Sequence, residues 1–300
     1  MGRIPLHRSR VAALALVAAA AGAAPLSGQQ KLERRFAVDS NASIRITNSA
    51  GTTRLIGWDR DSIVVIGTLA PGASFFGGGK GGFAKLGVER PDETVPSPGS
   101  TLEVRLPRAA RIYLKSITAG IEATGLTGEL QAVSVSGSIR VDGGLRLLVA
   151  ESMEGRLDVG GGGPIEITRI TGGQGPVTLR DARGDLMVTT VGGTITATGG
   201  RVTRAHLETI SGAVAYEGGV EGRGTLEAVT HSGDVTLTLT PGIAAEFVLQ
   251  TFEGTMETNL FPKKAQHPPT DHGPWTFATG GGGAVVTARS FKGAIVVRAK

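Results

Sequence analysis

The stretch THSGDVTLTL, residues 230–239, contains the local pattern on which the fold depends. A hydroxyl residue is followed three places later by a glycine, and then by apolar residues that alternate with polar ones. Two earlier stretches, SVSGSIRV at 134–141 and TISGAVAY at 209–216, share this pattern. Either a binding or catalytic site recurs or a structural unit is repeated, and the spacing of the copies distinguishes these alternatives.

The turn residue of this pattern recurs at a nearly constant interval. Successive copies are 18, 18, 20, 18, 19, 21, 21 and 39 residues apart, and the last interval is close to two units. The copies are Ala119, Gly137, Gly155, Gly175, Gly193, Gly212, Gly233, Gly254 and Gly293. A period of about 19 residues is typical of a solenoid, in which each repeat is one coil stacked on its neighbours.

Alternation on both sides of the turn residue predicts two strands in each coil. The residues two places after it are all apolar: Ile121, Ile139, Leu157, Val177, Ile195, Val214, Val235, Met256 and Ile295. Positions five and seven places before it are also mostly apolar. A period of two indicates strands with one buried face, so Val235 is predicted to face the core and Thr236 the solvent.

A hydroxyl column accompanies the turn. Eight of nine copies carry Ser or Thr three places before the turn residue: Ser116, Ser134, Ser152, Thr190, Thr209, Thr230, Thr251 and Ser290. A hydroxyl in this place can bond to the next coil or to the backbone of the turn. We therefore interpret the motif as a stacked structural unit and not as a recurring site.

The predicted fold class is all-β, a parallel β-helix or β-solenoid with coils of about 18–21 residues and a less regular N-terminal cap. The predicted organisation is a signal peptide at 1–28, the cap and first irregular coils at 29–110, and the β-solenoid at 111–300. Within the cap, Ile44, Ile46 and Leu55 are in phase with Gly51. Two segments rich in Gly and Pro, 70–100 and 260–283, are predicted to be surface excursions, and the second accounts for the doubled last interval.

The N-terminus has the pattern of a secretory signal peptide. Three arginines precede an apolar run at 11–21, and small residues follow it. Cleavage is predicted near Gly28, with Ala23 as a second candidate. A membrane anchor is less favoured because the run is shorter than the ~20 residues that a span needs. The chain is therefore predicted to be exported to the periplasm, the cell surface or the medium.

Composition excludes several classes of chemistry. The absence of cysteine excludes disulfides, thiolate metal sites, a Cys nucleophile and a lipidated Cys. Loss of residues 1–28 removes three arginines and no acid, so the formal net charge falls from +5 to +2. The densest basic group, Arg105, Arg108, Arg111 and Lys115, is interpreted as a solvated face and not as a nucleic-acid surface. No further span of ~20 apolar residues follows, so no membrane span is predicted after signal removal.

The chain resembles a bacterial family of exported, glycine-rich putative adhesins of unknown function. The resemblance rests on ITAGIEA, VSVSGSIRV, ETISGAVAY, VTHSGDVTLTL, ARSFKGAIVVRAK and IRITNSAGTTRLIGWDRDSIVV, and it covers residues 40–300. It implies a β-solenoid at the cell envelope. The shared motif follows coil geometry, and no catalytic residue is attached to it.

A polysaccharide lyase or hydrolase on a parallel β-helix is the alternative class. Its site would need carboxylates that converge on one outward face. The acids here occupy different positions in their coils: Asp142, Asp158, Asp181, Asp185 and Asp234. Asp181 and Asp185 are the closest pair within one coil, but arginines alternate with them, which favours a solvated turn.

The histidines suggest no catalytic set either. His231 stands in an otherwise apolar column and is predicted to be partly buried near a corner, while His206 is predicted to face outward. The cluster HPPTDH, with His267, Asp271 and His272, has metal-ligating side chains but is interpreted as a rigid exposed loop. GGGGP and TGGGG lack the Lys-Ser or Lys-Thr of a phosphate loop. The sequence thus predicts no catalytic residue, no cofactor and no metal.

The favoured function is a non-enzymatic exported cell-envelope protein that acts as an adhesin-like binding surface or scaffold. Its expected partner is a cell-surface glycan or an envelope protein, and nucleic acid is not expected. An accessory role in envelope stress signalling fits the same sequence features. The sequence leaves the oligomeric state and the handedness of the coil open.

Overall fold

A computed structural model of the chain describes residues 30–90, 98–160, 163, 165–260 and 273–300. These residues form 24 strands joined by turns, and they contain no helix. All 24 strands belong to one hydrogen-bonded sheet with mixed parallel and antiparallel pairing. The prediction of an all-β chain is confirmed. The predicted signal peptide, residues 1–28, lies outside the described residues.

The strands follow the repeat of the sequence. The N-terminal ones are β1 (Gln30–Ala37), β2 (Ser43–Asn48), β3 (Gly51–Trp58), β4 (Ser62–Leu69), β5 (Ser74–Lys80), β6 (Phe83–Glu89) and β7 (Ser100–Pro107). Next come β8 (Arg111–Lys115), β9 (Gly120–Thr124), β10 (Glu129–Ser134), β11 (Ile139–Asp142), β12 (Leu147–Ser152), β13 (Leu157–Val159), β14 (Ile167–Gly172), β15 (Val177–Arg180) and β16 (Gly184–Thr190). The last are β17 (Ile195–Thr209), β18 (Val214–Thr230), β19 (Val235–Leu239), β20 (Ala245–Thr251), β21 (Met256–Thr258), β22 (Trp275–Thr279), β23 (Ala284–Ser290) and β24 (Ile295–Ala299).

Strands that precede the turn residue form one parallel ladder. β8, β10, β12, β14 and β16 pair in that order, and the C-terminal halves of β17 and β18 continue the ladder. The register joins equal positions of successive coils, so that Leu114 pairs with Ala132 and Ala132 with Ala150. The columns expected from the sequence are therefore physical columns of side chains.

Strands that follow the turn residue form a second parallel ladder. β9, β11, β13 and β15 pair in order and continue through β17, β18 and β19. β17 and β18 are long because each runs from this ladder into the first one, with register shifts near Thr198 and Val202. The predicted faces are confirmed, since Val235 is fully buried and Thr236 is exposed.

The core lies between the two ladders and is built mainly from Val, Ile, Leu and Ala. Single apolar residues of the variable segments, such as Leu126, Leu145 and Val202, are also buried in it. Tyr216 is a fully buried ring, and its hydroxyl donates a hydrogen bond to the carbonyl of Gly219 at 2.6 Å. Burial raises the pKa of this phenol well above its ordinary value, so the group is a neutral structural donor.

The C-terminal coil departs from sequence order. β23 pairs with β18 on one side and with β20 on the other, and β24 lies in the same way between β19 and β21. The last coil in sequence is thus inserted inside the stack, and the coil of β20 and β21 lies at its end. Ile295 and Val297 are fully buried in the inserted coil, whereas Met256 and Thr258 at the end are only partly buried.

The N-terminal end has the same arrangement. β2 lies between β6 and β8, and β3 lies between β7 and β9. β4 then pairs antiparallel with β7, β1 with β4, and β5 with β6. Ile44, Ile46 and Leu55 are fully buried, which confirms their predicted phase with Gly51. The antiparallel strands cover what would otherwise be open strand edges at this end of the stack.

The predicted surface excursions are only partly correct. Within 70–100, β5 and β6 form a hairpin, and Ala84, Leu86 and Val88 of β6 are buried in the core. The five glycines at 77–79 and 81–82 conceal the alternation of these strands in the sequence. Within 260–283, β22 pairs antiparallel with β20 and covers the end coil. Residues 91–97 and 261–272 lie outside the described part of the chain.

Candidate interaction surface

The hydroxyl column bonds to the backbone at the corners, and in several coils it joins one corner to the neighbouring one. Thr230 Oγ1 accepts a hydrogen bond from the backbone N–H of Gly233 at 3.1 Å and donates one to the carbonyl of Gly212, in the neighbouring coil, at 3.0 Å. Ser152 makes the equivalent pair of bonds, at 3.0 and 3.2 Å, and Ser290 makes it at 2.8 and 3.0 Å. The column is therefore structural, as the sequence predicts, and its hydroxyls are occupied by backbone partners.

The glycine column permits the coils to approach closely at this corner. A Cβ on Gly233 would overlap the carbonyl oxygen of Gly212, and a Cβ on Gly293 would overlap that of Gly233. Neither glycine has a positive φ. The requirement for glycine at this place is thus close contact between backbones and not an unusual backbone angle.

The residue that follows each position of the hydroxyl column forms a row along the corner, which we call the corner ridge, and all of its members except the buried Gly173 are exposed. In stacking order it consists of Ile117, Val135, Met153, Gly173, Val191, Ile210, His231, Phe291 and Phe252. Backbone hydrogen bonds of 2.9–3.2 Å connect the corners in this order. Exposed fractions range from 38% at Phe291 to 64% at Met153 among its large apolar side chains. An ordered row of exposed apolar side chains is a candidate interaction surface.

One end of the corner ridge is aromatic. The rings of His231 and Phe291 stack with centroids 5.0 Å apart, and those of Phe291 and Phe252 stack at 5.1 Å. His231 is exposed, so the prediction of a partly buried histidine is wrong. The alternation places the residue after a buried hydroxyl on the outer side of the corner, which explains the difference.

Arginines pair with most of the acids considered for catalysis. Asp158 contacts Arg180 at 2.6 Å, and the same guanidinium lies 3.8 Å from Asp142. Asp142 also contacts Arg140 at 2.9 Å. Gly160, which has no side chain, lies between these coils, with its N–H donating to the carbonyl of Val141 and its Cα against Arg180. Two of the acids are thus brought together by an arginine, which their sequence positions do not indicate.

The remaining acids lie apart from this group. Asp185 contacts Arg169 at 2.8 Å, Asp181 contacts Arg183 at 2.8 Å, and an oxygen of Asp234 accepts a hydrogen bond from the backbone of Ala294 at 2.8 Å. Asp181 has a positive φ of 56°, a conformation that Asp adopts more readily than most residues. Its role in the structure is that of a turn residue.

His206 lies on the outer face of the first ladder between two carboxylates. Its Nε2 lies 3.0 Å from Glu208 and its Nδ1 lies 3.0 Å from Glu227. Partial burial alone would lower the pKa of His206, but the hydrogen bonds and charges of both glutamates outweigh it and raise the pKa above its ordinary value. Arg289 lies 4.0 Å from Glu227 and completes this exposed ionic group.

Metal-ligating side chains do not gather in the described part of the chain, where no three His, Cys, Asp or Glu residues are placed to hold an ion. His267, Asp271 and His272 lie outside the described residues.

Arg105, Arg108, Arg111 and Lys115 are exposed, as predicted. The described part of the chain also offers no helix with the length and apolarity needed to cross a membrane.

Comparison with known proteins identifies no family. No protein-family model and no curated protein sequence match the chain. A crystal structure of a putative cell adhesion protein from Clostridium sporogenes matches with 10% identity over 90% of this chain and 100% of that one, at a TM-score of 0.25. A likeness at this level carries no argument about fold or function. The resemblance to the exported adhesin-like family remains a prediction from the sequence.

Proposed function

We propose that the chain is an exported β-solenoid that serves the cell envelope as a non-enzymatic, adhesin-like binding surface or scaffold. The corner ridge is the observation that carries this proposal. It places seven exposed apolar side chains and one histidine in a row along successive corners, held by backbone hydrogen bonds between coils. A rigid row of this kind can bind an extended partner without any reacting group.

The aromatic end is the part of the corner ridge best suited to a partner at the cell surface. Phe291 and Phe252 expose 38% and 51% of their surface, and rings of this size contribute much of the binding energy in interfaces. A cell-surface glycan or an envelope protein is the proposed partner. The chain is proposed to reach the cell surface by export, with loss of residues 1–28.

The proposal excludes polysaccharide cleavage by this chain. A retaining or inverting glycosidase needs one carboxyl that gives a proton and another that acts as a nucleophile or a base. Asp142, Asp158, Asp181 and Asp185 each form an ion pair with an arginine, which occupies the carboxylate that such a reaction would use. Turnover of a polysaccharide that disappears on Asp181→Asn or Asp185→Asn would contradict the proposal.

The test is a pull-down of cell-wall and outer-surface fractions by the exported chain. Phe291→Ser with Phe252→Ser should reduce the retained material at least about tenfold, because a loss of 1.4 kcal/mol already produces that factor. Met187→Ser is the matched control, since Met187 is 45% exposed but lies on a strand face away from the corner ridge. Equal losses in both variants, or binding unaffected by either, would overturn the role of the corner ridge.

A further inference from the structure

The outer side of the sheet in the N-terminal coils carries a group of cations. β5, β6, β2 and β8 pair in that order, and β8 begins the first ladder. Their outward side chains include Lys80, Lys85, Arg45, Arg111 and Lys115, which we call the basic face. All five are exposed, and in the described part of the chain none of them has an ion-pair partner.

The lack of ion pairs distinguishes the basic face from nearby basic residues. Arg105 contacts Glu103 at 2.8 Å, and Arg108 contacts Asp59 at 2.7 Å. Arg111 follows closely in the sequence but faces no carboxylate at such a distance. Charges elsewhere on the solenoid are thus largely neutralised within the chain, whereas the basic face keeps a positive potential that acts on molecules in solution.

Carboxylates lie at the margins of the basic face and not within it. Glu89 is the last residue of β6, and Asp39 lies beside the β5–β6 turn, where its N–H donates to the carbonyl of Gly81 at 2.9 Å. Glu129 on β10 is held by Arg146. The centre of the face therefore presents cations alone to a ligand.

Tyr113 lies at the centre of these cations and is 37% exposed. Arg111 and Lys115 are two residues away on the same side of β8, and Arg45 is its direct neighbour on β2. A tyrosine ring offers an apolar surface and a polar hydroxyl to a partner. Guanidinium groups beside it can form paired hydrogen bonds to a carboxylate.

Two further features of this surface suit a sugar polymer. Phe83, which is 49% exposed, provides a second ring on β6, two strands from β8. A shallow groove beside Tyr113 is lined in part by Ser43 and Gln131. Their hydroxyl and amide groups can exchange hydrogen bonds with the hydroxyls of a sugar.

We propose that the basic face binds an acidic polysaccharide, whose carboxylates pair with the cations and whose sugar rings pack on Tyr113 and Phe83. The basic face is separate from the corner ridge, so this inference goes beyond the proposed function. The choice of a polysaccharide over a nucleic acid rests on the proposed export, since an exported chain meets the glycans of the envelope.

The dimensions of the basic face predict how it binds. Four strands about 4.8 Å apart and five residues at about 3.3 Å each give a surface about 14 Å across and about 13 Å long. It therefore contacts only a short stretch of the polymer at one time. Exposed charges are screened by salt over about 10 Å at 0.1 M, so we expect reversible binding that weakens steeply as the salt concentration rises.

Biolayer interferometry of the exported chain on immobilised polygalacturonate tests this inference. The wild-type chain should bind at low salt and should not bind neutral dextran. Arg45→Gln with Arg111→Gln should raise the dissociation constant at least about tenfold. The matched control is Arg201→Gln with Arg223→Gln, which removes two exposed arginines that also lack an ion-pair partner among the described residues. A wild-type chain that does not bind, or equal losses in both double variants, would overturn the proposal.

Tyr113→Ser tests the contact with sugar rings, because it leaves every charge of the basic face in place. It should weaken binding about threefold or more without changing the salt dependence. Single-stranded oligothymidylate should bind the wild-type chain at least about tenfold more weakly than polygalacturonate. Equal binding of the two polymers, or a Tyr113→Ser variant that binds like the wild type, would overturn the choice of a polysaccharide.

These variants leave the corner ridge unchanged, and every substituted side chain is exposed. Thermal melts should therefore show the wild-type midpoint in each of them. Loss of envelope binding in Phe291→Ser with Phe252→Ser would not alter the result on polygalacturonate, so the two proposals fail separately.

Discussion

At the scale of single residues, alternation decides what each side chain contacts. Thr230 is buried and bonds to two backbone groups, His231 is exposed one residue later, and Val235 and Thr236 again face opposite sides. Substitutions at neighbouring positions should therefore have very different effects on stability. This contrast allows the register to be tested with two variants of the same chemistry.

The first prediction compares Val235→Asp with Thr236→Asp. The first variant buries a carboxylate without a partner and should lower the free energy of unfolding by about 3 kcal/mol or more, whereas the second adds a charge at an exposed place and should be nearly neutral. Thermal melts of the two variants measure the difference. A similar fall of the midpoint in both would show that the register of the strands is wrong.

The second prediction concerns the pH dependence of stability through His206. Its pKa is raised in the folded state by Glu208 and Glu227, so the stabilisation is complete below the ordinary pKa of about 6.5 and is lost as the pH rises through the folded value. The midpoint difference between the wild type and His206→Gln should therefore shrink at higher pH. Thermal melts over a pH series measure it, and a difference that grows with pH would contradict the ionic group.

Residue patterns predicted the buried columns but not every exposed one. The core residues could be predicted from the apolar positions five and seven places before the turn residue and from those after it. Burial of one strand face produces this period of two. His231 was expected to be partly buried because the other residues of its column, such as Met153 and Phe252, are apolar. Their position next to a buried hydroxyl was the signal that they face outward.

At the scale of elements, the corner is the unit that connects the coils. Its hydroxyl makes two hydrogen bonds to backbone groups that would otherwise lack these partners. Its glycine permits the carbonyl of the neighbouring coil to approach closely. Ser and Thr are interchangeable in this role along the column, since Ser152 and Ser290 make the same bonds. The strands differ in length from coil to coil, while this geometry recurs.

The third prediction tests the corner with Thr230→Val. Loss of the hydroxyl leaves the N–H of Gly233 and the carbonyl of Gly212 without this partner and should cost about 2 kcal/mol of unfolding free energy. Thr230→Ser keeps the hydroxyl and should remain close to the wild type, and Thr236→Val removes an exposed hydroxyl as a second control. Urea unfolding measures all three. A Thr230→Ser variant as unstable as Thr230→Val would show that packing, and not the hydroxyl, stabilises the corner.

At the scale of the whole molecule, the order of the coils differs from their order in the sequence at both ends. Each repeat specifies which residues are buried within its coil, but any coil can pair with any other that has the same column pattern. The sequence therefore predicted the coils and could not predict that β23 and β24 enter the stack between earlier coils. For the same reason, the contact between Asp142, Asp158 and Arg180 depends on neighbouring coils.

The order of the coils can be measured by disulfide formation in a chain that has no native cysteine. Val229 pairs with Arg289 in the structure, whereas stacking in sequence order would pair Val229 with Gln250. All three side chains lie on the outer face of the ladder. Cα atoms of directly paired strands are close enough for a disulfide, and those of strands two coils apart are not.

Two double-cysteine variants distinguish this stacking order of the repeated units from stacking in sequence order. Val229→Cys with Arg289→Cys should form an intramolecular disulfide under mild oxidation, detected by mass spectrometry of proteolytic fragments. Val229→Cys with Gln250→Cys should stay reduced under the same conditions. A disulfide between positions 229 and 250, with none between 229 and 289, would contradict the inserted C-terminal coil and the stacking order of the corner ridge.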